Sequence, residues 1–172
     1  MTALGNYIHV LGGSTTGTEG TTHYIYDTIN NTWTTGAPTP YANNYAAATT
    51  DGIHIYLMGG NTSNSNYVDQ YDPVSDSWTP FVSLTTGRGG LGAYYDGEQI
   101  HAVAGGWGSY LTTTESFGKN GWSWAANNPV NVGTRTFGLV YGNGYAMKAG
   151  GWSGAYINSV EINNQIFANE FE

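Results

Sequence analysis

Pairs of adjacent glycines recur along this 172-residue chain at a nearly constant interval. They occupy positions 12–13, 59–60, 105–106 and 150–151, so that successive pairs begin 47, 46 and 45 residues apart. Repeats of roughly 20 to 50 residues cannot bury a hydrophobic core alone and become stable by stacking against their neighbours. The spacing therefore predicts a propeller or a solenoid built from four units.

Each unit is predicted to begin with two short strands joined by a tight turn. The turn residues, such as Asp51-Gly52 and Asp96-Gly97, tolerate the positive φ that a two-residue hairpin requires. The second strand of each hairpin runs into the glycine pair, at residues 7–11, 53–58, 100–104 and 145–149. No window carries the i, i+3, i+4, i+7 apolar stripe of a helix, so we expect an all-β chain with almost no helix.

The second half of each unit is marked by aromatic residues at fixed spacing. In the first three units a Tyr or Phe is followed seven residues later by a Trp, and we align the fourth unit with them without gaps. These large flat side chains are predicted to fill the wedge between neighbouring sheets. The aligned pairs are Tyr26 and Trp33, Tyr71 and Trp78, Phe117 and Trp124, and Val160 and Phe167.

This order of a hydrophobic strand, Gly-Gly, a variable loop, Tyr-Asp and then a Trp resembles the kelch repeat. The second and first units match most closely, the second with residues 55–60, Tyr71-Asp72-Pro73 and Trp78, and the first with residues 11–13, Tyr26-Asp27 and Trp33. Gly118 and Glu161 stand in place of the Asp in the third and fourth units. The resemblance covers nearly the whole chain and implies a single domain, 1–172, that is a kelch-type β-propeller with four blades of four short antiparallel strands. The repeats would span about 1–36, 37–82, 83–128 and 129–172.

The resemblance also bears on function and on how the ring is closed. Loops at one end of a kelch-like propeller bind partners, usually proteins, which implies a non-enzymatic binding scaffold. Kelch-like propellers commonly have about six or seven blades, within the usual range of propellers, and this chain has four, which we expect to close a tight ring. Two alternatives are a homodimer that completes a larger ring, and a chain that is part of a longer propeller.

Charge and composition argue against several classes of partner. Only 9% of the residues are charged, the net charge is −8, and four cations, Arg88, Lys119, Arg135 and Lys148, cannot form a basic patch. We therefore expect no binding to nucleic acid or to an anionic membrane surface. No apolar run reaches the roughly 18 residues of a transmembrane helix and no signal peptide is visible, so localisation is left open. The lack of Cys excludes disulfides and thiolate metal sites.

Two tryptophans stand outside the repeat pattern. Trp107 and Trp152 each directly follow a glycine pair. In a propeller the loops after the glycine pairs lie at the same end as the connections between units, so we expect a binding surface at that end. Trp, Tyr and Arg are the residue types that most often anchor interfaces. The candidate ligand-binding residues are Trp107, Tyr110, Trp152, Tyr156, Arg88, Arg135 and Asn43.

The same residues also have a structural interpretation. Each of the two tryptophans would then fold back over its own blade and cover the glycine pair. The two arginines would bridge backbone carbonyls of adjacent blades near the axis, because a guanidinium carries five donors. The sequence leaves both interpretations open.

Motifs for catalysis and metal binding are missing from the sequence. There is no Gly-x-Ser-x-Gly elbow or phosphate loop, and the carboxylates are scattered. His9, His54 and His101 lie at unequal distances from their glycine pairs, which argues against a metal-binding ring. We expect no catalytic residue, metal or cofactor. The few charges and abundant Thr, Asn and Gly favour, as alternative functions, a carbohydrate-binding or an external phage- or virion-type structural module; a propeller hydrolase is the third alternative.

Overall fold

A computed structural model describes residues 1–15, 18–61 and 63–164 of the chain, and in this part it contains strands and turns without a helix. None of the described residues forms a helix that could cross a membrane. The strands are β1 (Thr2–Leu4), β2 (Tyr7–Leu11), β3 (Ser14–Thr15), β4 (Thr18–Glu19), β5 (His23–Asp27), β6 (Thr32–Thr35), β7 (Ala47–Thr50), β8 (Ile55–Met58), β9 (Val68–Asp72), β10 (Ser77–Pro80), β11 (Gly92–Tyr95), β12 (Gln99–Val103), β13 (Thr114–Gly118), β14 (Ala125–Asn127), β15 (Gly138–Gly142), β16 (Tyr145–Ala149) and β17 (Val160–Asn164).

The strands form four antiparallel sheets, which are the blades of a propeller. Blade 1 has the strand order β1-β2-β5-β6, blade 2 β7-β8-β9-β10, blade 3 β11-β12-β13-β14 and blade 4 β15-β16-β17, while β3 and β4 form a separate small hairpin. The prediction of an all-β, kelch-type propeller with four blades is confirmed. The fourth strand expected in blade 4, around Phe167, lies outside the described residues.

The blades pack face to face through their inner strands and their large side chains. Strand β1 packs against β7, β7 against β11, and β11 against β15. Between blades 2 and 3 the core contains Tyr56 and Met58 from one side and Ile100 and Phe117 from the other, all buried. Burying both faces of a sheet in this way removes apolar surface that a single sheet would leave in water.

The repeated tryptophans join each blade to the connection that precedes it. The indole nitrogen of Trp78 donates to the carbonyl oxygen of Ala37 at 3.0 Å, and that of Trp124 donates to the carbonyl oxygen of Val82 at 2.8 Å. Each carbonyl lies four residues after the Trp position of the preceding blade. The tryptophans therefore fill the wedge, as predicted, and also satisfy backbone groups between blades.

Carboxylates on the third strands of blades 3 and 4 hold these connections in a second way. Glu115 accepts hydrogen bonds from the backbone amides of Thr85 and Thr86, at 2.7 and 3.0 Å. Glu161 accepts from those of Asn131 and Val132, at 2.6 and 3.1 Å. Both carboxylates thus bind two successive amides of the connection from the preceding blade.

The equivalence of Glu115 and Glu161 corrects our alignment of the fourth unit. The alignment through Val160 and Phe117 would have matched Glu115 with Asn158, three residues too early. Glu161 is paired with Lys148 across the sheet, and this register places it on the face that meets blade 3. The alignment was wrong because it assumed a gap-free unit, whereas the contact with the preceding connection decides the register. It also follows that Glu161 does not occupy the Asp position of the repeat.

The glycine pairs are required by the close approach of the next connection. Gly59 has φ +65°, and a Cβ atom there would lie 2.4 Å from the carbonyl oxygen of Arg88. Gly60 has φ +98°, and its amide donates to that same carbonyl at 2.9 Å. Only glycine combines this left-handed backbone with the absence of a side chain.

The expected closure of the ring by four blades is not what the described residues show. Blades 1 and 4 do not pack inner strand against inner strand as the three neighbouring pairs do. On blade 1, Trp33 is 59% exposed, although the equivalent Trp124 is buried. On blade 4, Ile162 is 67% exposed. The described part of the chain is therefore an arc whose two end faces are open.

The buried pairing of Arg88 with Glu115 is expected to stabilise the contact between blades 2 and 3. Glu115→Gln leaves the fully buried guanidinium without its carboxylate, which typically costs about 3–5 kcal/mol. Chemical denaturation should show this loss in the free energy of unfolding. The matched control is Glu98→Gln on the exposed hairpin turn of the same blade, and an equal effect of both substitutions would contradict the assignment.

Candidate functional site

Trp107 and Arg135 lie against each other where blade 3 meets blade 4. The guanidinium carbon of Arg135 lies 4.0 Å from the centre of the Trp107 ring, which is a close cation–π contact. The ring of Tyr45 packs on Trp107 as well, with the ring centres 4.3 Å apart. Trp107 is thus held on one side by an aromatic ring of blade 2 and covered by the cation of the connection to blade 4.

Tyr110, Trp152 and Tyr156 continue the surface from Arg135. The Arg135 guanidinium lies 5.4 Å from the centre of the Tyr110 ring. The indole nitrogen of Trp152 donates to the hydroxyl of Tyr110 at 3.1 Å, and the rings of Trp152 and Tyr156 meet edge to face with centres 4.9 Å apart. Tyr156 is 90% exposed.

We call these six residues the aromatic–arginine surface. They come from the loops after the third and fourth glycine pairs and from the connections that enter the inner strands of blades 2 and 4. Five of the seven residues predicted from the sequence are therefore brought together by the fold. The members are Tyr45, Trp107, Tyr110, Arg135, Trp152 and Tyr156.

Backbone contacts hold the tryptophans of this surface in place. The side-chain oxygen of Asn64 accepts hydrogen bonds from the amides of Trp107, at 2.6 Å, and Gly89, at 3.1 Å. Trp152 and Arg135 exchange two backbone hydrogen bonds of 3.0 Å each. The loops are therefore tied to neighbouring blades, which favours a preformed surface over one that must be ordered on binding.

The guanidinium of Arg135 keeps its hydrogen-bonding capacity. Within residues 1–15, 18–61 and 63–164, no hydrogen bond or ion pair forms to this guanidinium. The side chain is half-buried, so the ring of Trp107 restricts it while part of it meets solvent. Five donors on a planar, restrained fork suit a carboxylate or a pair of carbonyl oxygens.

Arg88 was expected to match Arg135, but the backbone contacts show that it does not. The Gly60 amide donates to the Arg88 carbonyl oxygen as the Gly105 amide donates to that of Thr134, so Thr134 is the counterpart of Arg88. The Arg88 side chain is fully buried and donates to the carbonyl oxygens of Ala104 and Thr113, at 2.9 and 2.8 Å, and to Glu115 at 2.5 Å. This is the carbonyl-bridging role that the sequence analysis left open as the alternative to ligand binding. Arg88 does not form part of the aromatic–arginine surface.

The carboxylate that Arg88 binds in blade 3 has a counterpart in blade 4 that is paired with a different cation. In blade 4 the carboxylate equivalent to Glu115 is Glu161, and it is already neutralised by Lys148 at 2.8 Å. Burial alone would raise the pKa of Glu161, but the hydrogen bonds from Lys148 and two backbone amides hold it below its ordinary value. Arg135 follows the buried Thr134, which takes the place of Arg88, and its guanidinium stacks on Trp107.

Asn43 is also buried and takes a structural role. Its amide nitrogen lies 3.2 Å from the Thr39 hydroxyl oxygen and 3.3 Å from the Tyr41 carbonyl oxygen, and donates to both. A Cβ atom on Gly12 would lie 2.4 Å from the side-chain oxygen of Asn43, so the two residues require each other. The first unit therefore uses this position to support its glycine pair.

Comparison with known proteins agrees with the geometry of the blades. The family model described as "Kelch motif" matches residues 42–85, which include the whole of blade 2. Residues 42–85 are a kelch motif. Together with the four blades, this match confirms the predicted resemblance of the chain to kelch repeats.

Several curated kelch-like proteins are similar to this chain. "Kelch-like protein 23" of Homo sapiens is 30% identical over 109 residues, covering 61% of this chain and 20% of that protein. "Kelch-like protein terF" of Aspergillus terreus is 38% identical over 97 residues, covering 49% and 21%. "Kelch repeat and BTB domain-containing protein 2" of Homo sapiens is 34% identical over 101 residues, covering 58% and 15%. The similarity thus spans about a fifth or less of the length of these relatives.

Tyr45 belongs to the aromatic–arginine surface and Asn64 supports it, but the sequence analysis identified neither residue. Both have positive φ, +56° and +58°, in loops whose sequences differ from unit to unit. Tyr45 follows two asparagines just before the inner strand of blade 2, a position without a fixed residue type in the other units. An Asn in a polar loop is a weak signal for left-handed backbone, and a Tyr there gives none.

Two histidines face each other where blade 1 packs on blade 2. Nδ1 of His9 lies 2.8 Å from Nε2 of His23, and Nδ1 of His23 lies 3.1 Å from the carbonyl oxygen of Ala37. Two neutral rings satisfy this chain of contacts when His9 donates to His23 and His23 donates to Ala37. No group of three or more His, Asp or Glu residues in the described ranges is close enough to hold a metal ion.

Burial and mutual repulsion keep this histidine pair neutral. Burial lowers the pKa of His9 to about 4, and the nearby charge of His23 contributes to this lowering. Burial also lowers the pKa of His23, although the Ala37 carbonyl and the Asp76 carboxylate oppose this. Protonating His23 at Nε2 in the folded protein removes the acceptor of the His9 hydrogen bond, and protonating His9 places a charge in a buried site beside His23.

The histidine pair predicts a loss of stability in mild acid. In the unfolded chain both rings take up protons near pH 6.5, whereas in the folded protein His9 stays neutral until about pH 4. The free energy of unfolding should therefore fall as the pH drops from about 6.5 to 4, by up to about 1.4 kcal/mol per unit of lowered pKa. Denaturation at several pH values measures the slope.

His9→Gln should make this pH dependence shallower, since it removes one of the two titrating rings. His54→Gln is the control, because His54 lies at an exposed turn 3.6 Å from Asp51 and outside the pair. Equal slopes for the wild type and His9→Gln would contradict the proposed origin of the acid sensitivity.

Proposed function

We propose that this protein is a non-enzymatic binding scaffold that engages a protein partner through the aromatic–arginine surface. The observation that carries the proposal is Arg135, a restrained guanidinium without a carboxylate partner in the described chain. Cations are scarce in this chain, and both Arg88 and Lys148 are consumed by internal ion pairs. A cation that folding leaves unpaired in this setting is available to a ligand.

The composition of the surface supports a protein partner. Trp, Tyr and Arg are the residues most enriched among those that dominate binding energy at protein interfaces. Here two Trp, three Tyr and one Arg adjoin one another at the loop-bearing end of a kelch-repeat propeller. The relatives named above are kelch-like proteins, one of them described as containing a BTB domain, and a binding role is consistent with those descriptions.

The surroundings of the carboxylates support a non-enzymatic role. Glu115 and Glu161 are committed to backbone amides and to buried cations. Asp96 accepts backbone amides of its own turn and lies 2.7 Å from His101 at the hairpin end of blade 3. These groups serve the fold, and none of them belongs to the aromatic–arginine surface.

Carbohydrate binding is the second candidate for the same surface. Tyr156, 90% exposed beside Trp152, presents a flat aromatic face of the kind on which sugar rings stack. The indole nitrogen of Trp152 is already bound to Tyr110, so sugar specificity would have to come from Arg135 and from loop amides.

Selection from a random peptide library tests the protein-binding proposal directly. Peptides selected by the wild-type protein should lose at least tenfold in affinity for Trp107→Ala and for Arg135→Ala, as measured by calorimetric titration. Trp122→Ala is the matched control, because Trp122 is 94% exposed in blade 3 but lies in the β13–β14 turn at the opposite end. Thermal unfolding of each variant establishes that the fold is retained.

The outcomes separate the two candidate functions. Selected peptides that contain an acidic residue, and that bind Arg135→Lys less tightly than the wild type, support the guanidinium as the specific contact. Peptides that bind both Ala variants as tightly as they bind the wild type would show that the binding site lies elsewhere. A glycan array is screened in parallel. If Trp107→Ala loses binding to a glycan but loses no affinity for any selected peptide, carbohydrate is favoured over protein as the ligand.

A further inference from the structure

A cavity opens between blades 2 and 3 at their hairpin turns, which lie at the end of the propeller opposite the aromatic–arginine surface. Its volume is about 400 Å³, within the range of roughly 300–1,000 Å³ that is usual for small-molecule sites. Every residue that lines it belongs to blade 2, to blade 3, or to one of their turns and connections. The described part of these two blades alone forms the cavity.

Four aromatic rings form much of the wall of this cavity. Tyr56 and Phe81 meet edge to face with ring centres 5.1 Å apart, and Phe81 and Phe117 do so with centres 4.8 Å apart. Tyr95 lines the cavity from the inner strand of blade 3, where it is half-buried and its hydroxyl donates to the carbonyl oxygen of Gly97. The face of an aromatic ring carries a partial negative charge, so a wall of this kind attracts cations.

Two carboxylates line the cavity, one from the hairpin turn of each blade. Asp51 comes from blade 2 and Glu98 from blade 3. Oδ1 of Asp51 accepts hydrogen bonds from the amides of Ile53 and His54, at 2.8 and 2.7 Å, and Oδ2 accepts one from the hydroxyl of Tyr56 at 2.9 Å. Burial alone would raise the pKa of Asp51, but these hydrogen bonds hold it below its ordinary value. The cavity therefore keeps a fixed negative charge at neutral pH.

The state of Asp51 favours a particular kind of cation. Its oxygens already accept three hydrogen bonds, so this carboxylate offers its charge more than its acceptor capacity. A primary ammonium group is strongly hydrated, and its three donors would lose water in a largely apolar cavity. An ammonium group whose hydrogens are replaced by methyl groups has no donors to satisfy, and groups of aromatic rings recognise it.

We propose that the cavity between blades 2 and 3 binds a trimethylammonium group, carried either by a small molecule or by the side chain of a methylated lysine. The aromatic wall supplies the cation–π attraction, and the carboxylates of Asp51 and Glu98 attract the charge. These two carboxylates outnumber Lys119, whose side chain also lines the cavity. The site shares no residue with the aromatic–arginine surface and does not depend on the function proposed for that surface.

Titration with choline and with its uncharged isostere, in which a carbon atom replaces the nitrogen, tests this proposal. Choline should shift the backbone NMR signals of the residues that line the cavity, and the shifts should saturate. The isostere has the same shape without the charge and should bind roughly tenfold more weakly or not at all. Equal binding of the two compounds would overturn the proposal.

A peptide that contains trimethyllysine distinguishes the two sources of the group. If the peptide binds more tightly than choline, and the same peptide with unmodified lysine does not bind, the natural ligand is a methylated protein. If choline binds and the peptide does not, the ligand is a free small molecule. If neither choline nor the trimethyllysine peptide shifts the signals of the cavity, the proposal is wrong.

Substitutions at the cavity test each part of the site. Tyr95→Leu removes one ring from the wall and should lower the affinity for choline by roughly tenfold, whereas Tyr95→Phe keeps the ring and should bind like the wild type. Glu98→Gln and Lys119→Gln change exposed side chains and should shift the affinity in opposite directions, down for Glu98→Gln and up for Lys119→Gln. The matched control is Tyr24→Leu, because Tyr24 is 48% exposed on blade 1 and lies outside the cavity.

The contrary results are equally specific. Unchanged affinity in Tyr95→Leu, with thermal unfolding like that of the wild type, would overturn the proposal. If Tyr95→Leu does not fold, the two exposed variants decide, and choline affinity unchanged in both Glu98→Gln and Lys119→Gln would overturn it. Arg135→Ala should bind choline like the wild type, so these results are independent of whether the aromatic–arginine surface binds peptides.

Discussion

Each sheet in this chain has two faces, and a small sheet cannot leave both in water. The blades solve this by packing on one another, so that Tyr71 and Trp78 of blade 2 are covered from one side while Tyr56 and Met58 are covered from the other. This arrangement forces the connections between blades into close contact with the sheet ends. Their backbone groups then need partners, which are supplied by Trp78, among others, and by glycine amides.

The same requirement explains which side chains remain for the proposed binding surface. The position of Arg88 in the connection before blade 3 is taken by Thr134 in the connection before blade 4. Both residues are buried, and the carboxylates Glu115 and Glu161 are paired with Arg88 and Lys148. Arg135, one residue after Thr134, is not used in this packing and stacks on Trp107. Groups that the packing of the blades does not use are available to a ligand, which is the basis of the proposed function.

Much of the fold could be predicted because its signals are local. The strands that enter the glycine pairs fall within two residues of their predicted bounds, since turn residues and apolar runs mark them directly. Trp78 and Trp124 were assigned to the wedge from spacing alone. The fourth unit was misaligned because its register depends on Glu161 reaching Asn131 and Val132, a contact between distant segments. For the same reason the sequence could not separate Arg88 from Arg135.

The sequence by itself determined the repeat, the all-β class and the number of blades. These follow from spacing, because a period in the chain becomes a period in space. Only the tertiary structure decided which candidate residues are buried, which arginine keeps a free guanidinium, and which blade faces stay open. Those properties depend on which residue of another blade each side chain contacts. The spacing of residues along the chain does not specify such contacts between distant segments.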